Sequence, residues 1–181
     1  MLTDILKPAP VSSIDDVLSI MTAIDSRLPD SDGVKWFNRL YLRVTRSVQH
    51  AVTGPAFRDA QFMSELDVVF ANLYFAAIAA GDLDPSRAPF AWRPLLRARR
   101  NCGIARLQFA LAGMNAHINR DLPQGIVQVF EAVGGDPTSD EARRQDFDSV
   151  NELVERVEDE VKKSGFLRWQ DRRRRYRGLP C

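Results

Sequence analysis

Hydrophobic positions recur every three or four residues along most of the chain, which is the period of an α-helix that buries one face. This pattern predicts helices over about residues 13–28, 34–52, 58–80, 90–99, 102–120 and 125–133, and a last long helix with an apolar stripe over 150–161. Glycine and proline separate these segments, and no stretch has the alternation of half-buried strands. The sequence therefore predicts an all-α, single-domain bundle of five to seven helices.

The predicted helical domain occupies residues 13–165. Residues 1–12 contain two prolines, Pro8 and Pro10, and are expected to form an extended N-terminal arm. Residues 166–181 form a basic C-terminal tail that mixes arginine with aromatic residues, a composition typical of nucleic-acid or anionic surfaces. Because this tail is short, we favour a solvated helix end whose arginines pair with the acidic helix before it.

The composition is that of an ordinary globular domain. The chain has 181 residues, 45% of them apolar, and its charges nearly cancel at +1, which argues against nucleic acid as a partner. No run of about 20 apolar residues and no signal peptide is visible, so no membrane association is expected. Cys102 and Cys181 lack metal or redox spacing and are interpreted as free thiols in a reducing compartment. The predicted location is cytoplasmic.

The end of the fifth predicted helix is unusually polar for a segment beside an apolar seam. The seam consists of Ile104, Leu107, Leu111, Met114 and Ile118. Beside it, Asn115 precedes Asn119 by four residues and His117 precedes Asp121 by four, so each pair lies on one line of the helix. Asparagine and aspartate have poor helix propensity, and sequences often accept such a cost at functional sites.

Three interpretations of this polar segment remain open. The residues could form a structural hydrogen-bond network, with Asp121 capping the next helix. Alternatively, His117 is a general acid or base that Asp121 orients, while Asn115 and Asn119 bind substrate. In the third interpretation, His117 and Asp121 are metal ligands completed by other helices, although no Glu-x-x-His or His-Glu-x-x-His pattern is present.

Other polar residues on apolar helix faces are candidates for the same site. Asp67 lies within an apolar run, where a carboxylate must be paired or solvated in a cavity. The candidates to share its surroundings are Asn38, Arg39, Tyr41 and Asn72. The alternative for Asp67 is a structural salt bridge to Arg39 or Arg43. Trp92, in an aromatic and proline cluster, is interpreted as packing or as the rim of a pocket.

Four stretches of the sequence resemble a family of uncharacterised helical proteins common in actinobacteria. They are residues 32–45, 62–75, 91–95 and 108–123, the last with the specific motif Met-Asn-Ala-His-Ile-Asn-Arg-Asp-Leu-Pro. The resemblance covers about residues 13–165 and implies a helical fold without a known activity. It also suggests that residues 115–121, Asn38, Arg39, Asp67 and Asn72 belong to one constellation.

The function we expect from these residues is a small-molecule enzyme that needs no cofactor. His117 would be the general acid or base, Asp121 its orienting partner, and Asp67 a second carboxylate with a raised pKa. The expected substrate-binding residues are Asn115, Asn119, Asn38, Arg39, Asn72 and Tyr41. Proton-transfer chemistry favours a cyclase, isomerase or lyase acting on an apolar metabolite, of the kind found in natural-product biosynthesis.

Two other classes of function stay open at this point. One is a metal-dependent hydrolase or oxidase in a helical bundle. The other is a non-catalytic ligand-binding or interaction protein, for example a homodimer formed through exposed apolar helix faces.

Overall fold

A computed structural model describes residues 2–7, 9–136 and 139–163. Within them the helices are α1 (Leu2–Ile5), α2 (Ile14–Arg27), α3 (Gly33–Thr53), α4 (Ala60–Gly81), α5 (Arg93–Ala98), α6 (Arg106–Ala116), α7 (Leu122–Val133) and α8 (Glu141–Lys163). Short 3-10 helices cover Pro85–Arg87 and Phe90–Trp92, and a π-helical turn, His117–Asp121, joins α6 to α7.

The all-α prediction is confirmed. Across the described ranges there is no strand, and seven α-helices have six residues or more. The predicted basic tail, residues 166–181, lies outside the described residues.

Aspartate and serine side chains begin the long helices. Ser13 accepts a hydrogen bond from the Asp16 backbone N–H, and Asp59 accepts one from the Phe62 backbone N–H. These bonds satisfy backbone donors that lack a partner in the first turn of a helix. The helix starts near residues 13 and 58 were therefore readable from the sequence.

The centre of the bundle is α3, which packs against α2, α4, α6 and α8. Two glycines allow α3 and α6 to approach closely. Gly113 on α6 lies under the ring of Phe37, and Gly33 on α3 lies under the ring of Phe109. A methyl group at either glycine would overlap an aromatic ring, so this contact depends on the absence of a side chain.

The N-terminal arm is partly helical rather than wholly extended, because its backbone is bound to α4. The side chain of Asn72 accepts a hydrogen bond from Val11 N (2.9 Å) and donates one to Val11 O (2.8 Å). The backbone N–H of Leu2 donates to Asp82 Oδ2 (2.8 Å). In a free extended arm these backbone groups would be hydrogen-bonded to water, and here α4 takes the place of the water.

Two expectations from composition need correction. By length and composition α4 could cross a membrane, contrary to our interpretation that no such segment exists, although 56% of its apolar window is buried within the bundle. A helix at the centre of a core has the same apolar character. Cys102 is disulfide-bonded, so its interpretation as a free thiol is wrong. Spacing along the sequence did not reveal that bond.

The N-terminal half of α8 is attached to the loop between α3 and α4. Asp146, which is buried, accepts hydrogen bonds from Arg58 N (2.9 Å) and Asp59 N (2.7 Å). Arg143 forms an ion pair with Asp59, 2.9 Å from Nε to Oδ2. These contacts hold α8 against α3 and α4 and leave a hollow beneath it.

Candidate functional site

A cavity of about 80 Å³ lies between α3, α4, the π-helical turn and α8. Its walls are mostly apolar and are formed by Phe37, Leu40, Val44, Val48, Met63, Leu66, Phe70, Met114, Ile118, Leu122, Phe147, Val150 and Val154. Its polar lining consists of Tyr41, Asp67, His117 and Asn151. Ile118 and Asn151 are exposed, so the cavity reaches the surface between the π-helical turn and α8.

The π-helical turn determines where the polar side chains point. The backbone N–H of Leu122 donates to the carbonyl of His117, five residues earlier. Pro123 follows at the start of α7, where its missing N–H does no harm, so the chain stays helical. The predicted capping of α7 by Asp121 does not occur, because its carboxylate points into the core instead. Such turns are frequent at functional sites.

His117 and Asp121 form a buried pair. The distance from His117 Nδ1 to Asp121 Oδ2 is 2.9 Å. Asp121 Oδ2 also accepts the indole N–H of Trp92 at 2.9 Å, and Asp121 Oδ1 is in contact with the guanidinium of Arg120. Because the indole of Trp92 and the guanidinium of Arg120 both donate to it, the carboxylate of Asp121 acts as a hydrogen-bond acceptor. We therefore assign the His117 proton to Nδ1, which leaves a lone pair on Nε2.

The second ring nitrogen of His117 has no hydrogen-bond partner in the described chain, although it is fully buried. Burial lowers the pKa of His117 to about 4, and Asp121 only partly opposes this effect. The imidazole is therefore neutral near pH 7. A neutral ring with an unpaired Nε2 beside a cavity is a ready hydrogen-bond acceptor.

Asp67 lies in the same cavity and has no ion pair with any residue that the structure describes. Its side chain is buried, and Oδ2 has no hydrogen-bond partner among the described residues. Burial raises the pKa of Asp67 to about 7, because no cation stabilises its charged form. The alternative salt bridge to Arg39 or Arg43 is not formed, since Arg39 pairs with Asp25 (2.6 Å) and Asp30 (3.4 Å) and Arg43 is exposed.

Two neighbouring hydroxyl groups on α3 complete the polar part of the site. Tyr41 and Thr45 are one helical turn apart and buried, and neither hydroxyl makes a hydrogen bond of ordinary geometry with a described residue. Burial is the main cause that raises the pKa of Tyr41, and the charge of Asp67 raises this pKa further. The nearby Thr45 hydroxyl lowers it. Sequence reasoning missed Thr45, and the available signal was its position four residues after Tyr41 on a buried face.

Aromatic rings enclose the imidazole on several sides. The ring of His117 is stacked on Phe70, and its centroid lies 4.5 Å from that of Tyr41 and 5.6 Å from that of Phe37. Trp92 is fully buried in the core, which confirms its interpretation as packing and excludes a rim, and its indole also donates to Asp121. The sequence could have indicated that Trp92 is a donor, because a buried carboxylate needs hydrogen-bond donors and an indole N–H can supply one.

The structure does not bring Asn115 and Asn119 to the cavity. Both are exposed, and Asn119 Nδ2 donates to Asn115 Oδ1 at 2.8 Å. The predicted seam was misplaced, because Leu111 is 50% exposed and Ile118 39% exposed. The buried face is centred instead on Phe109, Ala110, Gly113, Ala116 and His117.

Three other predicted binding residues have structural roles elsewhere. Asn38 donates to Met21 O at 2.9 Å and accepts from the Tyr74 hydroxyl at 3.3 Å, which joins α2, α3 and α4. Arg39 is engaged with acidic residues near α2, and Asn72 binds the N-terminal arm. Of the predicted site residues, the structure brings together Asp67, Tyr41, His117 and Asp121.

A metal centre has little support at this site. Within the described part of the chain, no three His, Cys, Asp or Glu residues are grouped so that they could hold a metal ion. His117 and Asp121 bind each other, and a tetrahedral zinc site would need further ligands.

A comparison with known protein families gives a match. The profile of a family described as "Family of unknown function (DUF5995)" matches residues 14–175. This range contains every helix that lines the cavity, and the match confirms the resemblance to an uncharacterised family. No curated protein and no solved structure matches the chain.

Proposed function

The chain belongs to the DUF5995 family, and we propose that it is a small-molecule enzyme that uses general acid/base chemistry in the cavity beneath α8. One observation supports the proposal above all. The buried side-chain polar atoms without hydrogen-bond partners in the described residues are those of Tyr41, Thr45, Asp67 and His117. Tyr41, Asp67 and His117 line one cavity, and Thr45 lies one helical turn after Tyr41 on α3.

This convergence is informative because buried polar groups are almost always satisfied. An unsatisfied buried donor or acceptor costs about 1–3 kcal/mol. A fold that keeps three such side chains at one cavity has retained that cost at one place. A bound molecule that supplies the missing partners would remove it.

The two titratable groups have complementary roles in the proposal. Asp67, with a pKa of about 7, exists in both protonation states near neutral pH and can both donate and accept a proton. His117 offers Nε2 as an acceptor, and Asp121 stabilises the imidazolium that forms if the proton is transferred.

The proposed reaction class follows from these groups and from the apolar walls. Proton donation at one point of a substrate and proton removal at another can drive cyclisation, isomerisation or elimination. The apolar lining favours a substrate with little charge. We therefore propose a cyclase, isomerase or lyase that acts on an apolar metabolite, such as an intermediate of natural-product biosynthesis.

A non-catalytic ligand-binding protein is the second candidate. It is favoured by the low pKa of His117, about 4, because a ring that is hard to protonate is a weak base. The same cavity would then hold a ligand without converting it.

Incubation with a metabolite mixture in D₂O tests the proposed enzyme. Acid/base catalysis exchanges or rearranges C–H bonds, so at least one compound should gain deuterium or change retention time in mass spectrometry. Asp67→Asn should abolish the change, whereas Asn119→Ala, on the exposed side of the same polar segment, should preserve it. If wild-type protein alters no compound, or if Asp67→Asn is as active as wild type, the proposed enzyme is wrong.

A further inference from the structure

We infer that the cavity binds the hydroxyl end of an uncharged alcohol rather than an anionic or a cationic head group. The inference deepens the proposed function and rests on it for the location of the site. It is carried by the hydrogen-bonding character of the unpaired atoms, by the charge of the lining and by the size of the cavity.

The unpaired atoms require a ligand group that both donates and accepts. His117 Nε2 is an acceptor only, because the proton of the ring is on Nδ1 facing Asp121. The hydroxyl of Tyr41 has a proton to donate and no acceptor of ordinary geometry. A single hydroxyl group can donate to one and accept from the other. A carboxylate lacks the donor and an ammonium lacks the acceptor.

The charge of the lining excludes an anion. Among the described residues that line the cavity there is no arginine or lysine, and the acidic group is Asp67. An anionic head group would be buried beside that carboxyl without a counter-ion. Burying an unpaired charge is far more costly than burying a hydrogen-bonded neutral group.

A cationic head group is also disfavoured. In the described lining Asp67 is the acidic residue that could serve as a counter-ion, and burial already disfavours its charged form. One face of the Phe70 ring is covered by the imidazole of His117, with 3.5 Å between ring centroids. That face cannot hold a cation over its ring. A neutral alcohol needs neither a counter-ion nor a free ring face.

The volume limits how much of the ligand is enclosed. The cavity measures about 80 Å³, about half of the roughly 150 Å³ of an apolar cavity that admits benzene. It therefore encloses a hydroxyl group with a short chain of carbon atoms. The rest of a larger ligand would leave between Ile118 and Asn151, where the cavity reaches the surface.

Three probes with the same four-carbon chain test the inference: butan-1-ol, butylammonium and butanoate. The ring-nitrogen NMR signals of the chain's two histidines report binding, since His117 lines the cavity and His50 is exposed. Butan-1-ol should shift the His117 Nε2 signal saturably and bind at least about tenfold more tightly than either ion. The signals of His50 should not move.

Matched variants identify where the probe binds. Tyr41→Phe removes one hydroxyl and should weaken butan-1-ol binding about fivefold, the effect of one hydrogen bond. Asn119→Ala should bind like wild type. The inference is overturned if butylammonium or butanoate binds as tightly as butan-1-ol, if no probe gives a saturable shift at 100 mM, or if Tyr41→Phe binds like wild type.

The two proposals fail separately. Saturable binding of butan-1-ol in a protein that alters no metabolite would uphold the alcohol site and reject the enzyme. Conversion of a charged metabolite by wild type but not by Asp67→Asn would uphold the enzyme and reject the alcohol site.

Discussion

The imidazole ring of His117 lies flat on the phenyl ring of Phe70, with 3.5 Å between centroids and 2° between planes. This contact fixes the plane of the imidazole, and the hydrogen bond from Nδ1 to Asp121 fixes its rotation within that plane. The direction of the unpaired Nε2 is therefore set before any ligand arrives. Preorganisation of this kind is what a binding or catalytic group requires.

The pH dependence of stability should contain two opposing contributions from the cavity. Burial raises the pKa of Asp67 from 3.8 to about 7. The folded protein therefore holds this proton more tightly than the unfolded chain. The stability that results is fully present below pH 3.8 and is lost as pH rises through 7, a loss on the order of 4 kcal/mol. The pKa of His117 falls from 6.5 to about 4. The folded protein therefore favours the neutral imidazole. The stability that results is fully present above pH 6.5 and is lost as pH falls through 4, a loss on the order of 3 kcal/mol.

Single variants should separate these two contributions. In Asp67→Asn the His117 contribution remains, so the free energy of unfolding should rise between pH 4.5 and 7. In His117→Gln the Asp67 contribution remains, so the free energy of unfolding should fall over the same range. Urea titrations at several pH values measure both slopes. Slopes of equal sign in the two variants would contradict the assigned pKa shifts.

Trp92 should position His117 through Asp121. Trp92→Phe removes the indole donor while keeping a buried ring, and should lower the free energy of unfolding by about 1.5–3 kcal/mol, because the lost bond is to a charged group. It should also move the ring-nitrogen signals of His117 in NMR spectra. Trp36→Phe is the control, since the indole of Trp36 donates to the backbone carbonyl of Asp30. Unchanged His117 signals in Trp92→Phe would show that Trp92 is only packing.

The close contact of α3 and α6 should be sensitive to a single methyl group at Gly113. A Cβ there would lie 2.6 Å from Phe37 Cβ, so Gly113→Ala should destabilise the fold by about 1–3 kcal/mol. At Gly125, inside α7, the nearest atom is 3.7 Å away. Gly125→Ala should therefore be neutral or stabilise by up to about 1 kcal/mol. Thermal unfolding compares the pair, and equal melting temperatures would refute the close packing.

Asp146 should determine how firmly α8 covers the cavity. Asp146→Ala leaves the N–H groups of Arg58 and Asp59 without their acceptor and should cost about 1–3 kcal/mol. Hydrogen exchange should accelerate in α8 more than in α3. Asp148→Ala, at an exposed position on the same helix, is the control. Uniform acceleration over the whole chain would mean that Asp146 stabilises the fold in general rather than the position of α8.

The polar pattern predicted part of this arrangement of side chains. The four-residue spacing of His117 and Asp121 predicted that they lie on one line of the helix, and the apolar run around Asp67 predicted a buried carboxylate that is paired or lies in a cavity. The same reasoning failed for Asn115 and Asn119, because the large residue Leu111 was taken for the buried face although Gly113 and Ala110 occupy it. Hydrophobicity alone does not show that a small residue marks the closest helix contact.

The sequence by itself determined the helical class, the approximate helix starts and the pairing of His117 with Asp121, because these depend on helix period and local caps. Tertiary structure alone decided that Asp67 and Tyr41 share a cavity with His117, and that Trp92 donates to Asp121 from 29 residues away. Contacts between helices depend on which faces pack and how closely. That is set by shape complementarity across the whole bundle and not by spacing along the chain.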